Sequence, residues 1–115
     1  EDADMNRLVM KAMMKKFAVE LTMAESAVEG LKLARENRFD LIITDIQMPF
    51  HTGIELRQWL ADDDEIHAPN IIAFTANAET AKLKEYIDIG FNDVLTKPLT
   101  LVKFSSFLRP YLDAL

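Results

Sequence analysis

The chain has no cysteine, and among its 115 residues only three glycines and four prolines. Without cysteine there is no disulfide, no thiol nucleophile and no thiolate-held metal. With so little glycine and proline there is no flexible linker or low-complexity tract, and each of these residues marks a particular place. Positive charge is also short. Thirteen Lys and Arg stand against nineteen Asp and Glu, a net charge of −6. Nucleic acid and anionic membranes are held by basic patches, so neither is expected as a direct partner. No apolar run approaches the roughly 20 residues of a membrane span, and no signal-peptide pattern is visible.

What is present fits one globular domain. Half the residues are apolar and 28% are charged, which is ordinary for a folded chain and unlike a disordered one. A chain of this length buries roughly two thirds of its unfolded surface, enough for a core without metal or disulfide staples. The sequence opens on Glu1 rather than methionine, so a fragment, or the ordered part of something longer, is expected.

Periodicity alternates along the chain. Residues 4–17 place Met5, Leu8, Val9, Ala12, Met13 and Phe17 at helical spacing. Residues 18–23 read as a short strand. Ser26 and Glu29 have the form of a capping box and open a helix to about residue 37. Residues 41–44 form an apolar, β-branched run of the kind buried on both faces of a parallel sheet, and it ends on Asp45. A helix over 53–61 follows, and then an acidic loop, 62–65. A second buried strand, 70–74, ends on Thr75. A helix over 79–89 stops at Gly90. A strand over 94–96 ends on Lys97 and Pro98. A last helix spans about 100–112, with Pro110 expected to end it early or kink it. Trp59 and Leu60 read as helix packing, and His67, beside Pro69, as exposed. This alternation makes a doubly wound α/β fold, a parallel sheet with helices on both faces.

In such folds the chemistry lies beyond the carboxyl ends of the strands. Asp45, Thr75 and Lys97 each close a strand, and the acidic pair Glu1 and Asp2 precedes the first helix, where a further strand would end. Neighbouring carboxylates need a cation, and an oxygen-only set suits Mg²⁺. A carboxylate can attack phosphorus and form an acyl phosphate. The transferring group spreads negative charge over its oxygens, so a lysine, a hydroxyl donor and a metal are the aids it needs.

These motifs resemble the receiver domain of two-component response regulators. The resemblance rests on Glu1-Asp2, on Asp45-Ile46-Gln47-Met48-Pro49 with Gly53 beyond it, on Thr75-Ala76 and on Lys97-Pro98. It covers the whole chain, and the order and spacing of four separated motifs make it specific. The segments Asp4-Met5-Asn6-Arg7 and Thr75-Ala76-Asn77-Ala78 are similar to receivers of hybrid sensor histidine kinases.

The resemblance implies a flavodoxin-like, five-stranded parallel sheet of order 2-1-3-4-5 with five helices. Residues 1–115 would be a single receiver domain lacking its first strand. That strand is interior in the family, so its absence would expose strand edges, and truncation of the sequence is the expected cause. The resemblance further implies that Asp45 accepts a phosphoryl group from a phosphohistidine, so that a histidine kinase or histidine phosphotransfer protein is a partner. Asp2, Asp45 and the backbone carbonyl of Gln47 would hold Mg²⁺, with Glu1 acting through water. Lys97 would pair with the phosphoryl oxygens, across a cis Lys97-Pro98 peptide. Thr75 would swing toward the phosphoryl group and bias the surface of the fourth helix, fifth strand and fifth helix, read by an output protein or domain. The place would be the cytoplasm, as a standalone regulator or as the cytoplasmic part of a membrane-bound hybrid kinase. The isolated domain would be no enzyme beyond its own Mg²⁺-dependent phosphorylation and dephosphorylation.

Some positions depart from the family pattern. His51 and Thr52 stand where methionine and a small acid or amide are frequent, although Thr52 still suits a helix N-cap. Val94 stands where the switch aromatic is usual, which leaves coupling to Thr75 weak or purely steric. Gln47 and Asn77 fall where family members tune phosphoryl lifetime. Two other readings stay open. A pseudo-receiver would keep the fold and work without phosphate, but it would normally lack one of Asp2, Asp45, Thr75 or Lys97. A phosphohydrolase of the haloacid dehalogenase type would carry a second aspartate two residues after the nucleophile, where this chain has Gln47.

Overall fold

The computed structural model describes residues 8, 10–12, 15, 22–24, 26–47, 50–67 and 70–113. These fall into two compact units, one over 23–96 and the other made of the described residues before it and after it.

The larger unit holds three strands and three helices: α1 (Ala27–Glu36), β1 (Ile42–Asp45), α2 (Gly53–Asp62), β2 (Ile71–Thr75), α3 (Thr80–Ile89) and β3 (Asp93–Thr96). The strands are parallel and lie in the order β1-β2-β3. Ile42 is in register with Ile71 and Asp45 with Phe74, while Ile72 faces Asp93 and Thr75 faces Thr96. All five residues of β2 are buried, as a central parallel strand requires. Its first residue is held twice by Asn92. The Ile71 N–H donates to Asn92 Oδ1 at 2.8 Å, and the Asn92 N–H donates to the Ile71 carbonyl at 2.9 Å.

Local chemistry explains the helix bounds. Ser26 caps α1, its Oγ accepting the Glu29 N–H at 3.1 Å. Thr52 caps α2 through a full capping box. Its Oγ1 accepts the Glu55 N–H at 3.1 Å, and Glu55 accepts the Thr52 N–H at 3.3 Å. Gly90 closes α3 at φ 127°, a conformation that a side chain resists, with its N–H donating to the Ile87 carbonyl at 3.0 Å. Helical spacing then gathers Ala27 and Ala34 of α1, Leu56 and Leu60 of α2 and Tyr86 of α3 over Ile71 and Ala73 of β2 in one buried cluster. Burial of Leu56 or Leu60 stabilises the unit by about 2 kcal/mol each. At the far end of this layer the Arg35 Nε donates to Asp63 Oδ2 at 3.1 Å. The Glu65 N–H first, and Arg35 second, hold the Asp63 carboxyl below its ordinary pKa.

The second unit contains α4 (Leu101–Asp113). Thr100 Oγ1 accepts the Lys103 N–H at 3.2 Å at its start, and Phe104 and Leu108, one turn apart, are buried. Residues 8, 10–12 and 15 are helical, within the helix expected over 4–17. The strand expected over 18–23 lies mostly outside the described residues, and Thr22 and Met23 have no regular structure.

Two expectations are corrected. Pro110 does not end the last helix, which continues to Asp113. A proline inside a helix removes one backbone N–H and crowds the carbonyl four residues back, at a cost of about 3 kcal/mol, and the helix runs on through it. His67 is half-buried rather than exposed, with its Nδ1 3.2 Å from an Arg38 guanidinium nitrogen.

Candidate functional site

Asp45 is the last residue of β1 and Thr75 the last of β2. Parallel pairing brings both to the same edge of the sheet, on strands about 4.8 Å apart. The Ile46 N–H donates to the Phe74 carbonyl at 3.1 Å, so the ladder holds one residue past Asp45. Asp45 itself is half-buried, and its Oδ1 is shielded from solvent.

The chain beyond Asp45 folds tightly back. The Gly53 N–H donates to the Ile46 carbonyl at 2.9 Å. A Cβ added at Gly53 would collide with the carbonyl oxygen of Asp45. It would also lie 3.0 Å from the Asp45 carbonyl carbon and 3.1 Å from Ile46 Cα. Only glycine lets the start of α2 approach this closely, and the approach fixes the backbone that carries the Asp45 carboxylate. Thr44 adds to it from a buried position, its hydroxyl donating to the Asp45 carbonyl at 3.1 Å. Sequence reasoning does not single out Thr44. The available signal is a hydroxyl inside an otherwise apolar strand, one residue before the aspartate.

Thr75 is buried, and its Oγ1 accepts the Asn77 N–H at 3.1 Å. Asn77 Oδ1 in turn accepts the Glu79 N–H at 3.0 Å, which leads the loop into α3. A threonine oxygen that accepts still carries its O–H donor. Val94 is half-buried, in register with Ala73, and packs against the core cluster. Gln47 is exposed two residues past Asp45. His51 sits 3.2 Å from Glu55 Oε2 and meets Trp59 edge-on at 4.9 Å. The His51 hydrogen bond first, and the Thr52 N–H second, hold Glu55 below its ordinary pKa.

Lys97 directly follows Thr96, is half-buried, and its peptide bond to Pro98 is cis, as expected. It belongs to the other compact unit. Glu1, Asp2, Met48 and Pro49 lie outside the described residues. Among the described residues no cluster of three His, Asp or Glu could hold a metal. The expected Mg²⁺ donors that are described, Asp45 and the Gln47 carbonyl, are both oxygens, which fits a hard cation.

A family model for the response regulator receiver domain matches residues 1–109. The chain belongs to this family. It is a receiver domain of two-component signal transduction. The polar-differentiation response regulator DivK of Brucella anthropi is 33% identical over 112 residues, covering 97% of this chain and 91% of that relative. The receiver domain of sensor histidine kinase PA1611 of Pseudomonas aeruginosa PAO1, solved with a magnesium ion coordinated in its active-site cleft, matches with a TM-score of 0.81. Identity there is 25%, with 98% of this chain and 93% of that chain covered. The receiver domain of Ssk1, co-crystallised with the histidine phosphotransfer protein Ypd1 of Saccharomyces cerevisiae, shares the fold at a TM-score of 0.84. Identity is 24%, over 100% of this receiver and 88% of that chain. Among the described residues no helix is long and apolar enough to cross a membrane.

Proposed function

We propose that this receiver is a phosphoacceptor and that Asp45 is the residue phosphorylated. The observation that carries the reading is the placement of Asp45 and Thr75 at the carboxyl ends of adjacent parallel strands. An Asp45 carboxylate oxygen attacks the phosphorus of a phosphohistidine, the P–N bond breaks, and the imidazole leaves as an acyl phosphate forms. Thr75 donates its hydroxyl to the new phosphoryl oxygens, and Lys97 pairs with their charge. Asp2, Asp45 and the Gln47 carbonyl, with Glu1 through water, are the residues that would hold Mg²⁺. The bound ion would supply charge neutralisation at the transferring group. The magnesium-bearing relative supports this assignment. Gln47 and Asn77 would set the phosphoryl lifetime, and Val94 would limit coupling to sterics.

In this reading β1, β2 and β3 are the third, fourth and fifth strands of a five-stranded sheet of order 2-1-3-4-5, and residues 1–115 are one receiver domain. The donor is a histidine kinase or a histidine phosphotransfer protein, the class seated on the yeast receiver. The output partner reads α3, β3 and α4, the fourth helix, fifth strand and fifth helix of the family count. The setting is cytoplasmic, and the domain does no chemistry beyond its own phosphorylation and dephosphorylation.

The test is intact mass after incubation with acetyl phosphate, with and without Mg²⁺, once circular dichroism shows the chain folded. One added phosphoryl group, dependent on Mg²⁺ and lost in Asp45→Asn, is the expected result. Mg²⁺-dependent labelling that persists in Asp45→Asn refutes the assignment. No labelling of a folded chain points instead to a pseudo-receiver.

A further inference from the structure

A shallow groove of about 570 Å³ runs between α1 and α2. Its floor is apolar. Val28, 57% exposed, and Leu31 lie one turn apart on α1, and Trp59 of α2 faces them across the groove. Its far end is acidic, lined by the carboxylates of residues 62 to 65. Arg35 is the one basic residue in the lining, and it is committed to Asp63 at 3.1 Å. Four carboxylates against one guanidinium leave this end strongly negative.

The groove is separate from the Asp45 site. The first residue of α2 packs on Asp45, and nine helical rises of about 1.5 Å carry Asp62 about 13.5 Å from it. An occupant at the acidic end therefore leaves Asp45 open.

We infer that this groove docks a basic amphipathic segment of a partner protein, with apolar side chains against Val28, Leu31 and Trp59 and with Lys or Arg at Asp64 and Glu65. Charge complementarity selects this occupant. A second copy of the chain would bring a net charge of −6 against the acidic end, and nucleic acid or an anionic lipid surface would be repelled in the same way. Apolar floor beside charged rim is the pattern by which an amphipathic helix is recognised in a groove.

Trp59 is the only tryptophan in the chain, so its emission reports on the floor directly. The probe is an 18-residue Leu/Lys amphipathic helix, with a Leu/Glu peptide of equal length as its counterpart, titrated into the full chain at about 0.1 M salt, where the Debye length is about 10 Å. The Leu/Lys peptide is expected to shift Trp59 emission saturably, and the Leu/Glu peptide to leave it unchanged. Asp64→Lys with Glu65→Lys is expected to weaken binding at least tenfold, and Val28→Ser several-fold. A control reversal at two exposed carboxylates outside the groove, Asp40→Lys with Asp88→Lys, is expected to stay within twofold. Equal losses from the groove and control reversals, or full affinity in Val28→Ser, overturn the proposal. Acetyl phosphate labelling of the same variants should match the unmodified chain, so a failure here is distinguishable from a failure of the Asp45 assignment.

Discussion

Replacing Gly53 with alanine is expected to destabilise the domain, and replacing Gly30 with alanine to stabilise it. Both glycines lie on helices, so propensity alone favours alanine at each, by up to about 1 kcal/mol. Space reverses the sign at one of them. At Gly30, inside α1, an added Cβ meets Leu56 Cδ2 at 3.5 Å and Ala24 Cβ at 3.9 Å, which is ordinary contact. The expected gain is about 0.5–1 kcal/mol. At Gly53 the added Cβ meets the Asp45 carbonyl and Ile46 Cα. These are backbone atoms, so no rotamer change relieves the clash. Overpacking of this kind costs about 1–3 kcal/mol. The first helical position recovers little from propensity, so a net loss of about 1–2 kcal/mol is expected. That corresponds to a fall in Tm of roughly 4–8 °C. Urea denaturation followed by circular dichroism on the three proteins measures both signs together. A Gly53→Ala protein as stable as the unmodified chain refutes the reasoning. The same variant should also label more slowly with acetyl phosphate, because the group that moves carries Asp45, while Gly30→Ala should label normally.

Further outcomes follow from the helix ends. Gly90→Ala is expected to cost about 1–3 kcal/mol, since φ 127° is unfavourable for alanine. The new Cβ also falls 2.6 Å from Arg57 Cζ. If the loss persists in an Arg57→Ala background, the backbone conformation is its cause, and denaturant midpoints for the four proteins decide this. Thr52→Ala removes half of the capping box at α2 and is expected to cost about 1 kcal/mol in the same assay. Glu55 titrates below its ordinary value of 4.5, held there by His51 and the Thr52 N–H. A depressed folded pKa gives stabilisation that is complete above the unfolded value and lost as pH falls through the folded one. Stability of Glu55→Gln should therefore fall less steeply than that of the unmodified chain below about pH 4.5. Equal slopes in urea melts across that range contradict the assignment.

Much of this fold was legible because periodicity and punctuation agreed. Thr52 ahead of Gly53, Gly90 after Ile89 and the apolar runs ending on Asp45 and Thr75 each placed an element to within about a residue. What stayed hidden depends on contacts between distant parts of the chain. Arg35 finds Asp63 twenty-eight residues away, and Arg38 finds His67. No local pattern announces either pair, and His67 reads as exposed from the sequence for that reason. Gly53 was visible as a motif residue, but the reason for it, the Asp45 carbonyl against its α-carbon, exists only once the loop has closed. Pro110 lies inside α4, because the local cost of one proline does not by itself decide where a helix stops. Glu1 and Asp2 lie outside the described residues, so the site as described rests on Asp45 and Thr75.

The paired hydrogen bonds between Ile71 and Asn92 have a consequence for folding fidelity. A slip of β2 by one residue would send Phe74 into the place that Ala73 fills beneath the helices and would turn every side chain of the strand over. It would also move Thr75 about 3.3 Å along the sheet and away from its level beside Asp45. Burial alone discriminates weakly, because both faces of β2 are apolar. In the observed alignment the Asn92 side chain adds a second bond to Ile71 beside the one its backbone N–H makes. A partly exposed amide thus acts as the strand's registration mark, and the threonine at the opposite end of β2 inherits its position from it.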